Sequence, residues 1–241
     1  KEVGEVQRSY FRGGHLDIET KSTVHDVVTK VDKLSESMLI ERIGKCFPNH
    51  SVLGEESGEH DAHSDYLWVV DPLDGTNNYS QGLPVFCVSI GLQYRGETLL
   101  GVVYAPYLNE LYTAIRGKGA FLNNVPIHVS DKTELDRSVL ATGFPYDKGI
   151  HPVNNIDNLS RILPHLRGIR RMGSAAYDLC GVAAGFLDGY WELGLKLWDV
   201  CAGVLIVQEA GGHVEPFRED RGIAILAGNA GIVEKMKEYI S

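Results

Sequence analysis

The chain has 241 residues with 23 Lys and Arg against 32 Asp and Glu, and its net charge of -9 disfavours a nucleic-acid backbone as partner while leaving room for a small phosphorylated molecule held by local cations. A hydrophobic fraction of 44% and a charged fraction of 23% describe a globular chain able to bury a substantial core, and no apolar run approaches the ~20 residues of a membrane span. No signal-peptide pattern is visible, and Cys46, Cys87, Cys180 and Cys201 are widely spaced in apolar settings without a Cys-x-x-Cys pair, so reduced, buried thiols and a cytoplasmic location are expected, with no zinc site and no membrane partner.

In chain order, residues 1–18 read as the end of a helix and an extended piece broken at Gly13-Gly14, and residues 21–29 as a polar, β-branched connection. Leu34, Met38, Leu39, Ile43 and Phe47 recur at helical spacing, so a helix is expected from Asp32, as its N-cap, to Phe47 before Pro48. Residues 51–54 form a short strand ending at Glu55 and Glu56, and because neighbours on an extended segment point in opposite directions, at most one of the two easily joins a given metal. The polar stretch 58–64, with His60 and His63, reads as a solvated loop that could act as a lid. Residues 66–70 are a buried strand that Pro72, having no N–H for a sheet ladder, should end at Asp71.

Strands over 85–94 and 97–105 meet in an Arg95-Gly96 hairpin, and 110–115 and 120–122 continue the antiparallel sheet with Gly117 and Gly119 at the turn. A second half opens with a strand over 139–144, a helix near 155–166, a strand over 168–172 and a helix over 176–186 with Ser174 as N-cap. A strand over 187–195 follows, then an apolar helix opened by Trp198-Asp199, with Asp199 as N-cap, and closed by Gly211-Gly212. Strands over 213–217 and 223–226 and a last helix capped by Asn229 complete the chain.

The chemistry concentrates in Asp71-Pro72-Leu73-Asp74-Gly75-Thr76-Asn77. A turn set by Pro72 and released by Gly75 lets both carboxylates, with the Leu73 carbonyl between them, converge on one small volume, and such a cluster repels itself unless a cation fills it. The ligands on offer are all hard oxygens, which suit Mg²⁺ or Mn²⁺. Backbone N–H groups of Gly75, Thr76 and Asn77 would face an anion, so a dication beside an anion cradle implies phosphoryl chemistry. An EF-hand loop alternates its ligands and has no place for Pro72. The aspartyl-phosphate phosphatase pattern, Asp-x-Asp-Gly-Thr, is one residue shorter, and its downstream Gly-Asp-x-x-x-Asp is absent from this chain.

Gly54-Glu55-Glu56, Asp71 to Thr76, Gly173-Ser174-Ala175-Ala176 and Trp198-Asp199-Val200-Cys201-Ala202-Gly203, in this order, resemble the inositol monophosphatase family. The resemblance implies an α+β fold, a layered α-β-α-β-α sandwich, as a single domain with an N-terminal α+β half (about 1–130) and a C-terminal α/β half (about 131–241). It further implies a homodimer that hydrolyses a small phosphate monoester with Mg²⁺, by in-line attack of a metal-activated water, and is inhibited by Li⁺. By the same resemblance Glu55, Asp71 and the Leu73 carbonyl would hold one Mg²⁺, and Asp71, Asp74 and Asp199 a second. Glu56 would support the site, Asp32 and Thr76 would pair and orient the water with Glu55, and Gly75 and Thr76 would bind phosphate. Asp74, Ala175, Glu192 and Asp199 would face the substrate hydroxyls, while Lys196 stands where animal inositol enzymes have His and Asn77 where Thr is usual. Inositol 1-phosphate is the leading substrate; fructose 1,6-bisphosphate, histidinol phosphate and other sugar phosphates share the same metal motifs, and a regulatory or scaffold dimer that keeps the fold is the alternative from another class.

Overall fold

The computed structural model describes residues 1–13, 16–21 and 26–241, so part of the connection over 21–29, and Gly14 of the expected break, lie outside the described residues. The helices are α1 (Glu2–Tyr10), α2 (Lys30–Cys46), α3 (Thr76–Ser80), α4 (Ile156–Ile162), α5 (Ala175–Ala183), α6 (Leu197–Glu209) and α7 (Ala230–Lys237). The strands are β1 (Glu19–Thr20), β2 (Val27–Val28), β3 (Ser51–Gly54), β4 (Gly58–His60), β5 (Tyr66–Asp74), β6 (Cys87–Tyr94), β7 (Glu97–Ala105), β8 (Glu110–Ile115), β9 (Ala120–Leu122), β10 (Val125–Pro126), β11 (Val139–Thr142), β12 (Gly168–Arg170), β13 (Gly189–Leu195), β14 (His213–Pro216) and β15 (Ile223–Gly228).

Two sheets carry the fold, one of eight strands in the order β10-β9-β8-β7-β6-β5-β3-β4 and one of five in the order β12-β11-β13-β15-β14. Helices α5 and α6 lie between them, where Leu179, Leu205 and Ile206 share one core with Val103 and Tyr112 of the larger sheet and Tyr190 and Ile225 of the smaller. On the outer face of the larger sheet, Ile43 of α2 packs with Val52 and Val70. On the outer face of the smaller, Ile162 of α4 and Ile232, Val233 and Met236 of α7 pack with Leu140, Trp191 and Leu226. The layers are therefore α-β-α-β-α, as expected, and strands covered on both faces explain why the sequence reads there as near-continuous apolar runs. Helix α6 is seated at backbone contact: a Cβ added at Gly91 would lie 2.3 Å from Cys201 Sγ, and one at Gly101 would lie 2.7 Å from the Ala202 carbonyl oxygen.

Several boundaries differ from the sequence expectation, each for a local reason. Helix α2 begins at Lys30 with Thr29 as N-cap, so Asp32 sits inside the first turn, where its carboxylate accepts the Thr29 N–H at 2.9 Å and Val31 N–H donates to Thr29 Oγ1 at 3.1 Å, a reciprocal capping box. Strand β5 continues through Pro72 to Asp74, because the register shifts between Asp71 and Asp74 and no ladder N–H is required there. Residues 58–60 are an edge strand antiparallel to β3 rather than a lid. Helix α6 starts at Leu197 with Lys196 as N-cap, and Asp199 accepts the Lys196 N–H from the third helical position at 2.7 Å, so Asp199 is not itself the cap. Ser174 does precede α5, but its hydroxyl turns to Asp74 instead of capping the helix. The Arg95-Gly96 hairpin has both residues at positive φ, 51° and 84°, as its two-residue turn requires, and Asn229 caps α7 through Ile232 N–H at 2.9 Å. All four cysteines are free, but Cys46 is exposed at the end of α2. Among the described residues no helix is long and apolar enough to cross a membrane.

Candidate active site

Where β5 ends, the first turns of α5 and α6 and the end of β13 open onto one cavity of about 470 Å³. Its wall takes Asp71, Leu73, Asp74, Gly75 and Thr76 from β5 and the turn after it, Glu55 from the end of β3, Ser174, Ala175 and Asp178 from α5, Glu192 from β13, and Lys196 and Asp199 from the start of α6. Every metal-ligand and substrate-contact residue expected from the sequence thus borders one volume; Asp32, which reaches it through Thr76, and Glu56 do not line it.

The turn after β5 is built by Gly75, whose φ of +95° only glycine adopts freely and whose missing Cβ would meet the Val85 carbonyl oxygen at 2.8 Å. It delivers Thr76 with its hydroxyl 2.7 Å from Asp32 Oδ1 and 2.9 Å from the Leu73 carbonyl oxygen. Asp32 is fully buried, and its other oxygen accepts from the Thr29 hydroxyl at 2.6 Å. The hydroxyl of Thr76 has one proton, and with Asp32 taking it the threonine oxygen keeps its lone pairs for a donor inside the cavity. Burial pushes the Asp32 carboxyl up, against the lowering hydrogen bonds from Thr29 and Thr76.

The remaining carboxylates crowd one another. Burial raises Asp71 well above the ordinary carboxylate range, and the charges of Glu55, Asp74 and Asp199 raise it further. Burial likewise raises Glu55 and Asp199, and it pushes Asp74 up to about 6 although Ser174 Oγ and Ala176 N–H both donate to Asp74 Oδ2 at 2.7 Å. The charge of Glu55 raises Asp71 more than that of any other neighbour, an arrangement two buried anions accept only with a proton or a cation between them. Among the described residues no three His, Cys, Asp or Glu side chains form a ready-made metal-binding group. Each carboxylate leans instead on a nearby donor: Glu55 on Lys21 Nζ at 2.8 Å, Asp71 on the Leu73 N–H at 2.9 Å, Asp199 on the Lys196 N–H.

Several residues that shape the site gave no usable signal in the sequence. Glu36, 2% exposed, accepts the N–H groups of Glu56 at 2.9 Å and Ser57 at 2.7 Å, and its carboxylate fills the space a Cβ at Gly54 would take, so it sets the turn that presents Glu55. Its place on α2 falls off the apolar spacing used to find that helix. Lys21, which bridges Glu55 and Glu56, was hidden in a polar connection. Arg221 clamps Asp147 with two hydrogen bonds of 3.0 and 2.7 Å at the rim, a pairing across 74 residues that no local pattern contains. Glu192, expected from the sequence among the substrate contacts, is pushed up to about 7 by burial, accepts from the Tyr190 hydroxyl at 2.6 Å and rests on Gly143, whose place beside it no local pattern shows and where a Cβ would lie 2.0 Å from its Oε2.

A layered sandwich whose middle helices and central strand bring acidic side chains and a Thr–Asp pair to one cavity defines a class that the comparisons identify: the family model described as "Inositol monophosphatase family" matches residues 1–239, and the chain belongs to that family. Among its relatives it is 47% identical over 213 residues to the Nus factor SuhB of Pasteurella multocida (strain Pm70), covering 88% of this chain and 79% of that one. It is 44% identical over 201 residues to the inositol-1-monophosphatase of Synechocystis sp. (strain PCC 6803), covering 83% of this chain and 70% of the relative. The crystal structure of the extragenic suppressor protein suhB from Bartonella henselae superposes with a TM-score of 0.92 at 37% identity, covering 99% of this chain and 93% of that one.

Proposed function

We propose that this protein is a Mg²⁺-dependent phosphomonoesterase acting on a small phosphorylated metabolite, with inositol 1-phosphate the leading substrate. The observation that carries the reading is that Glu55, Asp71, Asp74 and Asp199 line one cavity, where the charges of the other three all raise Asp71. Buried carboxylates in like-charge company favour a dication, and with the Leu73 carbonyl they offer only hard oxygens, the donor set that suits Mg²⁺ and tolerates Mn²⁺. Glu55, Asp71 and Leu73 would hold one ion and Asp71, Asp74 and Asp199 a second; such ions polarise phosphoryl oxygens and lower the pKa of bound water.

The chain's own groups do the rest. Thr76, its proton given to Asp32, accepts a hydrogen bond from a water and fixes that water's orientation toward the phosphorus. The N–H groups of Gly75 and Thr76 would donate to phosphate oxygens, and Glu192, Ala175 and Lys196 border the same cavity. No side chain is needed as nucleophile, which distinguishes this reading from the aspartyl-phosphate alternative.

The test is phosphate release by the purified protein from inositol 1-phosphate, fructose 1,6-bisphosphate and histidinol phosphate, with Mg²⁺, with EDTA and with Mg²⁺ plus Li⁺, alongside calorimetric titration of Mg²⁺ itself. Mg²⁺-dependent, Li⁺-inhibited release from one substrate supports the reading; Mg²⁺ binding without release from any would favour the second reading, a Nus-factor-like binding role, which the naming of SuhB relatives at 44–47% identity motivates.

A further inference from the structure

Asn155 stands at the N-cap of α4 with φ +75°, a position where asparagine ordinarily turns its side-chain oxygen to the free N–H groups of the helix. This one gives α4 no side-chain hydrogen bond and is 3% exposed. Its amide faces inward instead, between the ends of β11 and β13. Nδ2 donates to the Gly143 carbonyl oxygen at 2.6 Å and to Thr142 Oγ1 at 2.9 Å, while Oδ1 accepts from Trp191 Nε1 at 2.8 Å and from Asn158 Nδ2 at 3.2 Å. An indole N–H only donates and a backbone carbonyl only accepts, so the amide has one orientation, and all four of its hydrogen-bonding positions are filled.

The amide takes over where the sheet stops. The parallel pairing of β11 with β13 ends at Thr142 opposite Trp191, and there the Thr142 hydroxyl donates to the Trp191 carbonyl oxygen at 2.7 Å. The next residues along the two strands are Gly143 and Glu192, which both border the catalytic cavity, and the Glu192 carboxylate fills the space that a Cβ at Gly143 would take. Asn155 does not line that cavity, yet it holds the Gly143 carbonyl on one strand and the Trp191 indole on the other. A buried network with every partner satisfied is rigid, so the place of peptide 143 and of the Glu192 carboxylate against it is set by this one amide.

We propose that Asn155 is a positioning residue that fixes the bed on which Glu192 meets the substrate. The proposal rests on the phosphomonoesterase reading, with Glu192 as a substrate contact, and adds to it a residue that acts through Gly143 and Trp191 without touching the substrate.

The experiment compares kcat/KM for inositol 1-phosphate with that for 4-nitrophenyl phosphate, whose leaving group offers Glu192 no hydroxyl, in the wild type, Asn155→Gly and Asn155→Asp. Glycine adopts φ +75° freely, so Asn155→Gly removes the amide without straining the backbone; Asn155→Asp keeps the shape and the acceptor for Trp191 should the glycine variant fail to fold. The ratio of the two constants falls by about tenfold, within the range expected when a substrate-positioning group moves by a fraction of an ångström to an ångström. The fall is absent when Glu192→Ala is already present, because the group being positioned is gone. In Asn155→Gly the Trp191 indole N–H, followed by NMR on nitrogen-labelled protein, also loses its protection from hydrogen exchange. A ratio that changes by less than about threefold in the variants that fold, or that falls equally in the Glu192→Ala background, overturns the proposal, since a merely structural asparagine slows both substrates alike. A wild-type protein that releases phosphate from neither substrate overturns instead the reading on which the proposal stands.

Discussion

Gly143→Ala should move Glu192 without replacing any ionisable residue. The added Cβ would lie 2.0 and 2.1 Å from the two carboxylate oxygens and 2.2 Å from Cδ, whereas ordinary contact begins at 3.4 Å, so the carboxylate must withdraw by about 1.4 Å. That withdrawal breaks its 2.6 Å hydrogen bond from Tyr190. Displacement of a substrate-positioning group by about an ångström costs up to ~100-fold, so kcat/KM for the preferred polyol phosphate should fall by about 10- to 100-fold. Overpacking itself is expected to cost about 1–3 kcal/mol of stability, measurable by urea denaturation. The decisive assay is a double-mutant cycle with Glu192→Ala. If Gly143 acts through Glu192, adding Gly143→Ala to Glu192→Ala produces little further loss of turnover. Undiminished kcat/KM in Gly143→Ala, or an equal loss in both backgrounds, would refute the reasoning.

Other outcomes follow from the same geometry. Thr76→Val removes the oxygen that orients water and strips Asp32 of a donor; kcat should fall about 100-fold or more and stability by about 1–3 kcal/mol, and a variant that lost stability while keeping kcat would show the pair to be structural only. Asp71→Asn takes one charge out of the acidic cluster, so the metal-free protein should melt at a higher temperature than wild type while the Mg²⁺-induced rise in melting temperature disappears together with turnover; a retained Mg²⁺ response would remove Asp71 from the metal site. Glu192 keeps its proton to about pH 7 in the fold, chiefly through burial and against the lowering effects of Tyr190 and Arg171, whereas the unfolded chain ionises near the ordinary carboxylate value. The native state thus binds the extra proton, and its stability declines as pH rises from the ordinary carboxylate range through 7. Glu192→Gln should therefore gain stability relative to wild type at pH 8 and not at pH 4; parallel urea midpoints at the two pH values would contradict this.

The layers were legible where periodicity or turn chemistry was strong, as in the strands from Cys87 to Leu122, the helix over Leu34 to Ile43 and the Asn229 cap. The acidic motif was legible because its members lie within six residues of one another. Boundaries failed where a polar side chain did a different job from the one its position suggested. Asp32 and Asp199 both precede apolar helical runs and read as N-caps; each in fact reaches back from inside the first turn, while the second oxygen of Asp32 reaches Thr76. Pro72 reads as a strand terminator, yet a register shift absorbs it. The partners that hold the site in place were invisible for a simpler reason. Glu36 on the turn at 56–57, Arg221 on Asp147 and Glu192 on Gly143 are pairings across 20 to 74 residues, set only when the layers close.

The seating of α6 carries a consequence for how the chain can vary. The first turn of this helix bears Asp199, and its body rests directly on Gly91 and Gly101 at the centre of the larger sheet. A methyl group at either glycine would lift the helix, and the lift would reach the acidic end before it reached the sheet's outer strands. Sequence drift at these two positions is therefore screened by turnover as well as by folding. A library that samples the sheet interior should recover folded but inactive proteins at 91 and 101, positions that do not themselves line the cavity.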